Sequence, residues 1–417
     1  MKISLKKLSR FEKIFIKIAK VYVKQYNNYS FCFKFDDFVY PKIGISDKTI
    51  KVIFKNAQET FNRIFTEGSL GLGESYCEGN IQVVDKDYKE FLMIFIRVVS
   101  DKKFLFSLYP VDIFFILKAK FTRSHHARKN QYENINSHYS LGDWFENEED
   151  SNQFYLQWLD SPYIQYSCAK WDENTKSLAD AQINKFEFYA KRLGINKNSA
   201  GKQLLDLGCG WGGFMFYMAE KYNLQCKGLT LSIAQKKYVE KEIERRNLIG
   251  QIEVELKNIH DLAGKYDFIV GIGLLEHLDD YDDLYNKSVL ALKKAGRVLF
   301  HSMFHTIMFY KGDSFLTKYI FPGGGTPNLK QNVKIFQKYF KYVETKGLPK
   351  LSYPKTLDCW FDKFCENEKN IRNLLEKKGK CGDVDYSIRV FKHYLVLSSC
   401  GLTVAGVMAN ILAYSDT

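Results

Sequence analysis

The chain has 417 residues, 46% of them apolar and 16% aromatic, and a formal net charge of +13. That length and apolar share exclude a disordered or fibrous chain and predict two packed units. Nine cysteines with no C-x-x-C pair and no metal-like spacing to histidine exclude a zinc module or a disulfide scaffold, and read as reduced thiols with no metal site.

From the start of the chain, residues 1–26 carry lysines throughout, with Leu5, Leu8, Phe11, Phe15, Ile18 and Tyr22 at helical spacing. This is a basic amphipathic helix without the continuous apolar run of a signal peptide. It either lies on an anionic bilayer or packs on its own domain. Phe31–Phe35 and Thr49–Phe54 are predicted strands, Ala57–Phe65 a short helix and Asp87–Val99 another, making a small α/β module. Between them, 68–76 reads as a glycine-rich turn without the G-K-[ST] ending of a phosphate loop. Phe104–Leu117 is apolar but interrupted by Pro110 and Asp112, and too short to span a bilayer. The cationic run 118–129 follows it, a pairing that suits either a membrane interface or an interdomain linker. The domains are therefore expected at 1–125 and 126–417. Nothing basic is patterned as a nucleic-acid module, so the positive charge points to an anionic membrane surface instead.

The second domain alternates as an α/β fold should. Helices are predicted at 177–193, 232–247, 282–294, 328–340 and 356–378, and strands at 203–207, 226–232, 252–256, 266–272 and 296–303. Around the first of these strands stands Asp206-Leu-Gly-Cys-Gly-Trp-Gly-Gly213, an apolar strand running into a glycine turn and then a helix. Glycines there let backbone approach a ligand under an open helix N-terminus, which is a nucleotide site. A dinucleotide fold would place a carboxylate after the second strand. Here that strand ends in Thr230 and Ser232, and the glycine pattern resembles motif I of S-adenosylmethionine (SAM) methyltransferases. Residues 394–415 carry no charge, so they are either a transmembrane candidate or the last strands of the sheet.

Further motifs complete a resemblance: His138-Tyr-Ser-Leu-Gly142, Gln165-Tyr-Ser-Cys-Ala-Lys-Trp171, Gly228-Leu-Thr-Leu-Ser-Ile-Ala-Gln235, Gly273-Leu-Leu-Glu-His277, Lys318-Tyr-Ile-Phe-Pro-Gly323 and Tyr353-Pro-Lys-Thr-Leu357. With motif I they resemble the cyclopropane-fatty-acyl-phospholipid synthase family, which includes the mycolic acid cyclopropane synthases. The resemblance implies a Rossmann-like class I SAM-dependent methyltransferase fold with a mixed seven-stranded sheet, preceded by a smaller N-terminal α/β domain associated with lipid. It implies a SAM-dependent enzyme that adds methylene across a cis double bond of unsaturated acyl chains in membrane phospholipids. SAM would be held by Tyr139, Tyr166, Ser167, Asp206, Gly208, Gly210, Gly212, Thr230, Gln235 and Asn258, the last standing where relatives carry an acidic residue. Cys168, Glu276, His301, Met303 and Tyr353 would be catalytic and grip a bicarbonate ion. Relatives carry a cysteine four residues after the start of the tyrosine-leucine motif at 394, where this chain has Ser398, with its nearest cysteine at Cys400. The implied partner is an anionic phospholipid bilayer and not nucleic acid, with a homodimer left open. The implied location is cytoplasmic, peripheral to the inner face of the cytoplasmic membrane. The alternatives are a SAM methyltransferase with another acceptor, by methyl-branching of an acyl lipid or N-methylation of an amine, and a non-catalytic lipid-binding protein.

Overall fold

The computed structural model describes residues 8–100, 144–306, 312–405 and 409–414, apart from 146, 160 and 161. The stretch 104–129 and Tyr139 lie outside the described residues. The chain divides into two compact units, and the division is not one cut: Asp313–Ile320 and Asp383–Ala405 belong to the first unit.

In the first unit, Ser9 opens α1 (Arg10–Gln25) through a capping box with Glu12. Then come β1 (Ser30–Phe35), β2 (Phe38–Val39), β3 (Thr49–Phe54), α2 (Ala57–Glu67), α3 (Ser69–Cys77), β4 (Ile81–Val83) and α4 (Asp85–Ser100). β1 and β3 pair in parallel, flanked by antiparallel β2 and β4. Phe31, Phe33 and Phe35 point to one face by strand alternation and are fully buried. Phe15 of α1 packs edge-on against Phe33 and Phe54 at 4.9 and 5.5 Å. The apolar face of α1 is thus used up in its own core and is not offered to a bilayer, whereas Lys13, Lys17, Lys20 and Lys24 stay exposed. The expected turn at 68–76 is the helix α3. Its glycines serve close packing: a Cβ on Gly71 would lie 2.3 Å from the Arg63 carbonyl oxygen, and one on Gly73 2.2 Å from the Phe315 ring.

The later elements are α5 (Glu148–Leu156), α6 (Leu178–Leu193), β5 (Gln203–Leu207), α7 (Gly213–Tyr222), β6 (Gln225–Thr230), α8 (Ile233–Arg245), β7 (Ile252–Leu256), β8 (Tyr266–Ile272), α9 (Tyr281–Ala291) and β9 (Leu292–Ser302). After them come α10 (Ser314–Tyr319), α11 (Leu329–Phe336), β10 (Tyr342–Lys346), α12 (Ser352–Glu366), α13 (Glu368–Lys378), α14 (Val384–Ala405) and β11 (Ala409–Tyr414). Helices α10 and α14 are the first unit's. The expected single helix at 356–378 is α12 and α13, parted at Asn367, whose side chain donates to the Gln157 and Lys363 carbonyls.

The second unit's sheet has the order β10-β11-β9-β8-β5-β6-β7. β5 to β9 run parallel, and β11 is antiparallel to both neighbours. This is the mixed seven-stranded methyltransferase sheet. Strand alternation divides its core in two. Leu204, Phe268, Val270 and Leu299 join α6 and α7 on one face, and Leu205, Leu207, Ile269, Val298 and Phe300 join α9 and α11 on the other. Strands covered on both faces are continuously apolar, which made them legible. Of the uncharged stretch 394–415, residues 409–414 are a strand of the sheet, as one reading expected, while 394–405 are helical. The helical part is the end of α14, whose beginning carries Asp385, Arg389 and Lys392. No helix among the described residues is long and apolar enough to cross a membrane.

Gly73→Ala tests the packing of α3. Helix propensity favours alanine by about 1 kcal/mol, but Phe315 is fully buried and cannot retreat from the new methyl, and overpacking costs ~1–3 kcal/mol. The variant should melt at a lower temperature than the parent protein; an unchanged or higher Tm would mean that the helices can separate.

Candidate active site

A cleft opens at the C-terminal ends of β5, β6, β7 and β8, where open α/β sheets bind ligands. Tyr166, Ser167, Asp206, Gly208, Gly210, Thr230, Gln235 and Asn258 all line it. The turn after β5 carries positive φ at Gly208, Gly210 and Gly212. A Cβ on Gly210 would meet nothing within 4 Å, so the space beside it is open. Gly212 does not line the cleft; it caps α7 in the left-handed conformation, its Cα packed close to Phe216 and Val239. Thr230 donates to Gln235 Oε1 at 2.9 Å, and Ser232 caps α8 by accepting from the Gln235 N–H. Asn258 turns its Oδ1 to the His260 N–H at 3.0 Å. The Tyr166 ring lies 5.3–5.5 Å from Tyr155, Trp158 and Trp360, an aromatic wall beside the cleft.

Beside the cleft floor is a second set of groups. β8 and β9 pair with Ile272 opposite His301, and the short turn after β8 carries Glu276. Glu276 Oε1 accepts the Met303 N–H at 2.6 Å. Its Oε2 and both ring nitrogens of His301 are buried with no hydrogen-bond partner among the described residues. Some of Glu276 reaches the surface, but its free oxygen does not. Burial raises the Glu276 carboxyl above the usual range, against the pull of the Met303 N–H. Burial holds His301 down at about 3, helped by Lys185, so it is neutral. Cys168 is buried, its thiol pushed up to about 12 by burial, and it donates to the Ala169 carbonyl at 3.3 Å. The loop bearing Cys168 is stitched to α12: Thr356 accepts the Ala169 N–H at 3.1 Å and Ser352 the Trp171 N–H at 3.2 Å. Tyr353 sits between those two positions on the same helix, its ring 6.4 Å from Trp360. The structure thus joins Glu276 to Met303 directly, sets His301 two residues before Met303 on β9 with its ring against Tyr189, and ties Cys168 to the helix of Tyr353. Ser398 and Cys400 belong instead to α14 of the first unit, where the Cys400 thiol faces the Lys89 carbonyl.

One residue of the site escaped sequence reasoning. Lys185 lies mid-way along the apolar stripe of α6 and is fully buried. Its Nζ donates to Gln165 Oε1 at 3.0 Å and Ser167 Oγ at 2.8 Å. Burial lowers it to about 7 and raises Asp206, which faces it electrostatically, also to about 7. The available signal was the lysine itself, occupying a position where a 3.6-residue period demands an apolar side chain.

Gly210 and Gly201 make a matched pair for testing the cleft. Both hold positive φ, with open space where a Cβ would go, but only Gly210 lines the cleft. Alanine at either position should cost ~1–2 kcal/mol of backbone strain. Calorimetry with S-adenosylhomocysteine should then show affinity falling about tenfold or more for Gly210→Ala, the effect of ~1.4 kcal/mol, with Gly201→Ala unchanged. Equal affinities would remove the glycine turn from ligand binding.

A family model described as mycolic acid cyclopropane synthetase matches residues 126–405. The cyclopropane-fatty-acyl-phospholipid synthase of Escherichia coli (strain K12) is 29% identical over 339 residues, 80% of this chain and 80% of its own. Among solved structures, mycolic acid cyclopropane synthase CmaA1 complexed with SAH and CTAB superposes with a TM-score of 0.58 at 26% identity, covering 69% of this chain and 98% of that one. Coclaurine N-methyltransferase bound to N-methylheliamine and SAH reaches 0.60 at 22% identity over 83% of this chain and 98% of its own, a likeness of fold alone. Since the family match spans most of the length, the chain belongs to the mycolic acid cyclopropane synthetase family, SAM-dependent methyltransferases that include the cyclopropane fatty acid synthases.

Proposed function

We propose that this protein is a cyclopropane-fatty-acyl-phospholipid synthase, adding a methylene group from SAM across the cis double bond of an unsaturated acyl chain in a membrane phospholipid. The observation that carries this reading is a buried acid and a neutral histidine, both with unpartnered polar atoms, beside a glycine-lined cleft. Ring closure removes a proton from the new methyl group inside an apolar pocket and so needs a placed acceptor, whereas an amine can release its proton to solvent.

Tyr166, Ser167, Asp206, Gly208, Gly210, Thr230, Gln235 and Asn258 would hold SAM, with Gly212 shaping the turn. Cys168, Glu276, His301, Met303 and Tyr353 would hold bicarbonate. The fit of a small anion rests on the orphaned Glu276 Oε2 and His301 nitrogens: buried polar atoms without partners are costly unless a ligand satisfies them. Bound there, SAM supplies an electrophilic methyl group and bicarbonate a compact base. Neutral His301 offers one ring N–H toward an anion and keeps its other nitrogen as an acceptor. Glu276, its carboxyl raised by burial, can take up a proton at Oε2. The Met303 N–H is engaged by Glu276 Oε1, so Met303 acts through the glutamate. Cys168 stays a thiol and adds no charge. Tyr155, Trp158 and Trp360 around Tyr166 help keep water from the reacting carbon.

Peripheral binding to an anionic bilayer belongs to the same reading. Its support is the charge of +13 and a groove lined by Lys170, Lys191, Arg192 and Lys346. Three of those cations lie over the Phe188 ring, at 5.8, 5.3 and 5.9 Å. Glu344 pairs with Arg192 and Asp172 with Lys170, which leaves the groove positive.

Lipids from cells making the protein should gain one CH₂ per unsaturated chain, with the carbon traceable to labelled SAM. Glu276→Gln should keep S-adenosylhomocysteine affinity while losing turnover by ~10²-fold or more, the scale of a lost proton acceptor. Tyr353→Phe should lose less, since one hydrogen bond to a charged group is worth ~1.5–3 kcal/mol. Lipids unchanged in mass would refute the reaction. Vesicle sedimentation should show binding to anionic bilayers that weakens as salt rises, with about 1 kcal/mol lost per groove lysine reversed to glutamate; equal binding to neutral vesicles would remove the electrostatic attraction.

A further inference from the structure

Lys185 is a fully buried amine whose charged form burial disfavours, with no carboxylate at hydrogen-bonding distance among the described residues. Its Nζ spends two donors on Gln165 Oε1 and Ser167 Oγ, uncharged acceptors three residues and one residue before Cys168. Alternation along β5 and β9 turns Asp206 and His301 to the face that α6 covers, the face of Leu204 and Leu299. Tyr189, one helical turn after Lys185, packs its ring 5.6 Å from that of His301. Lys185 therefore has Cys168, Asp206 and His301 within electrostatic reach. A buried anion next to Glu276 would put two acidic groups in a medium that tolerates neither without compensation. Neither His301 nor His277 can supply that compensation, since burial disfavours the charged form of both.

We infer that the Lys185 ammonium is the countercharge of the buried centre: it stabilises the anion held among Cys168, Glu276 and His301 while fixing the Gln165–Cys168 loop that lines the cofactor cleft. Lys185 is a positioning residue, acting on the reaction through the anion and the loop. The inference rests on the bicarbonate reading above, and its test separates the two. Bicarbonate is titrated by calorimetry into the parent protein saturated with S-adenosylhomocysteine. The same titration is made with Lys185→Gln, which keeps hydrogen-bond donors, and Lys185→Met, which keeps only the length. S-adenosylhomocysteine affinity is measured for each variant separately. Bicarbonate affinity should fall about tenfold or more in both variants, the scale of a lost hydrogen bond to a charged group, with S-adenosylhomocysteine affinity within about threefold for Lys185→Gln. If the parent protein binds no bicarbonate, the anion reading fails and the inference with it. If the parent binds bicarbonate and the folded variants bind it equally well, the anion stands and Lys185 is not its countercharge. Equal loss of both ligands in both variants would make Lys185 a structural residue only. Should Lys185→Met not fold, Lys185→Gln alone decides between these outcomes.

Discussion

A sheet covered on both faces leaves no water for a polar side chain, and the centre of this protein depends on that exclusion. Strand alternation sends every second residue of β5 and β9 to the α6 face, so Asp206 and His301 arrive where Leu204 and Leu299 also point. Once there, each must find a partner or lose its charge. Asp206 drifts toward neutrality against Lys185, and His301 is neutral outright. The same exclusion makes the Glu276 carboxyl a better proton acceptor than a surface glutamate, because its charged form is the disfavoured one. Acid-base character here is a product of the sheet's geometry and its dryness, before any ligand enters.

Much of this could be read from residues alone, for reasons that differ by element. β5 and β8 appeared at their true limits because buried parallel strands are largely apolar runs between turn residues, and the edge strand β7, Ile-Glu-Val-Glu-Leu, because its residues alternate. The start of α8 fell within a residue of its predicted place at 232, and Ser232 proves to be its N-cap. β10 was missed because an edge strand is buried weakly, and Tyr-Val-Glu-Thr-Lys shows no core face. The α3 segment misled because glycine marks both turns and close helix packing, and only the position of Phe315 distinguishes them. At the site, the glycine turn announced a ligand by itself. Cys168, Glu276 and His301 acquired meaning only through a resemblance, since each alone passes for an ordinary core or surface residue. Lys185 carried its own signal, a charge on an apolar stripe, which pattern-matching for motifs overlooks.

The first unit contributes chemistry of another kind. Its core is built on stacked and crossed phenylalanines, with Phe31 against Phe33 at 5.6 Å and Phe54 against Phe61 at 4.8 Å. Buried His393 meets the Tyr88 hydroxyl at 2.5 Å, and Lys392 on the same helix pairs with Asp85. These polar links fix the register of α14 against α4. What remains on the outside of α1 is a row of lysines, so any attraction of this unit to an anionic surface is by charge and not by insertion of that helix.

The place of β11 in the sheet has a consequence for biosynthesis. This strand sits between β9 and β10, yet it is the last of the three to be made, after the chain has also formed α14 of the first unit. While the polypeptide is still emerging from the ribosome, β9 must therefore present a bare row of N–H and C=O groups, and β10 has nothing to pair with. An open edge of that kind invites pairing with a neighbouring nascent chain. The first unit waits for α14 and the second for β11, so each closes late, by contacts of long sequence separation that form slowly. Yield in the cell is then set by how well that interval is protected, and a tag or truncation touching residues 409–414 would disturb assembly far more than its distance from the cleft suggests.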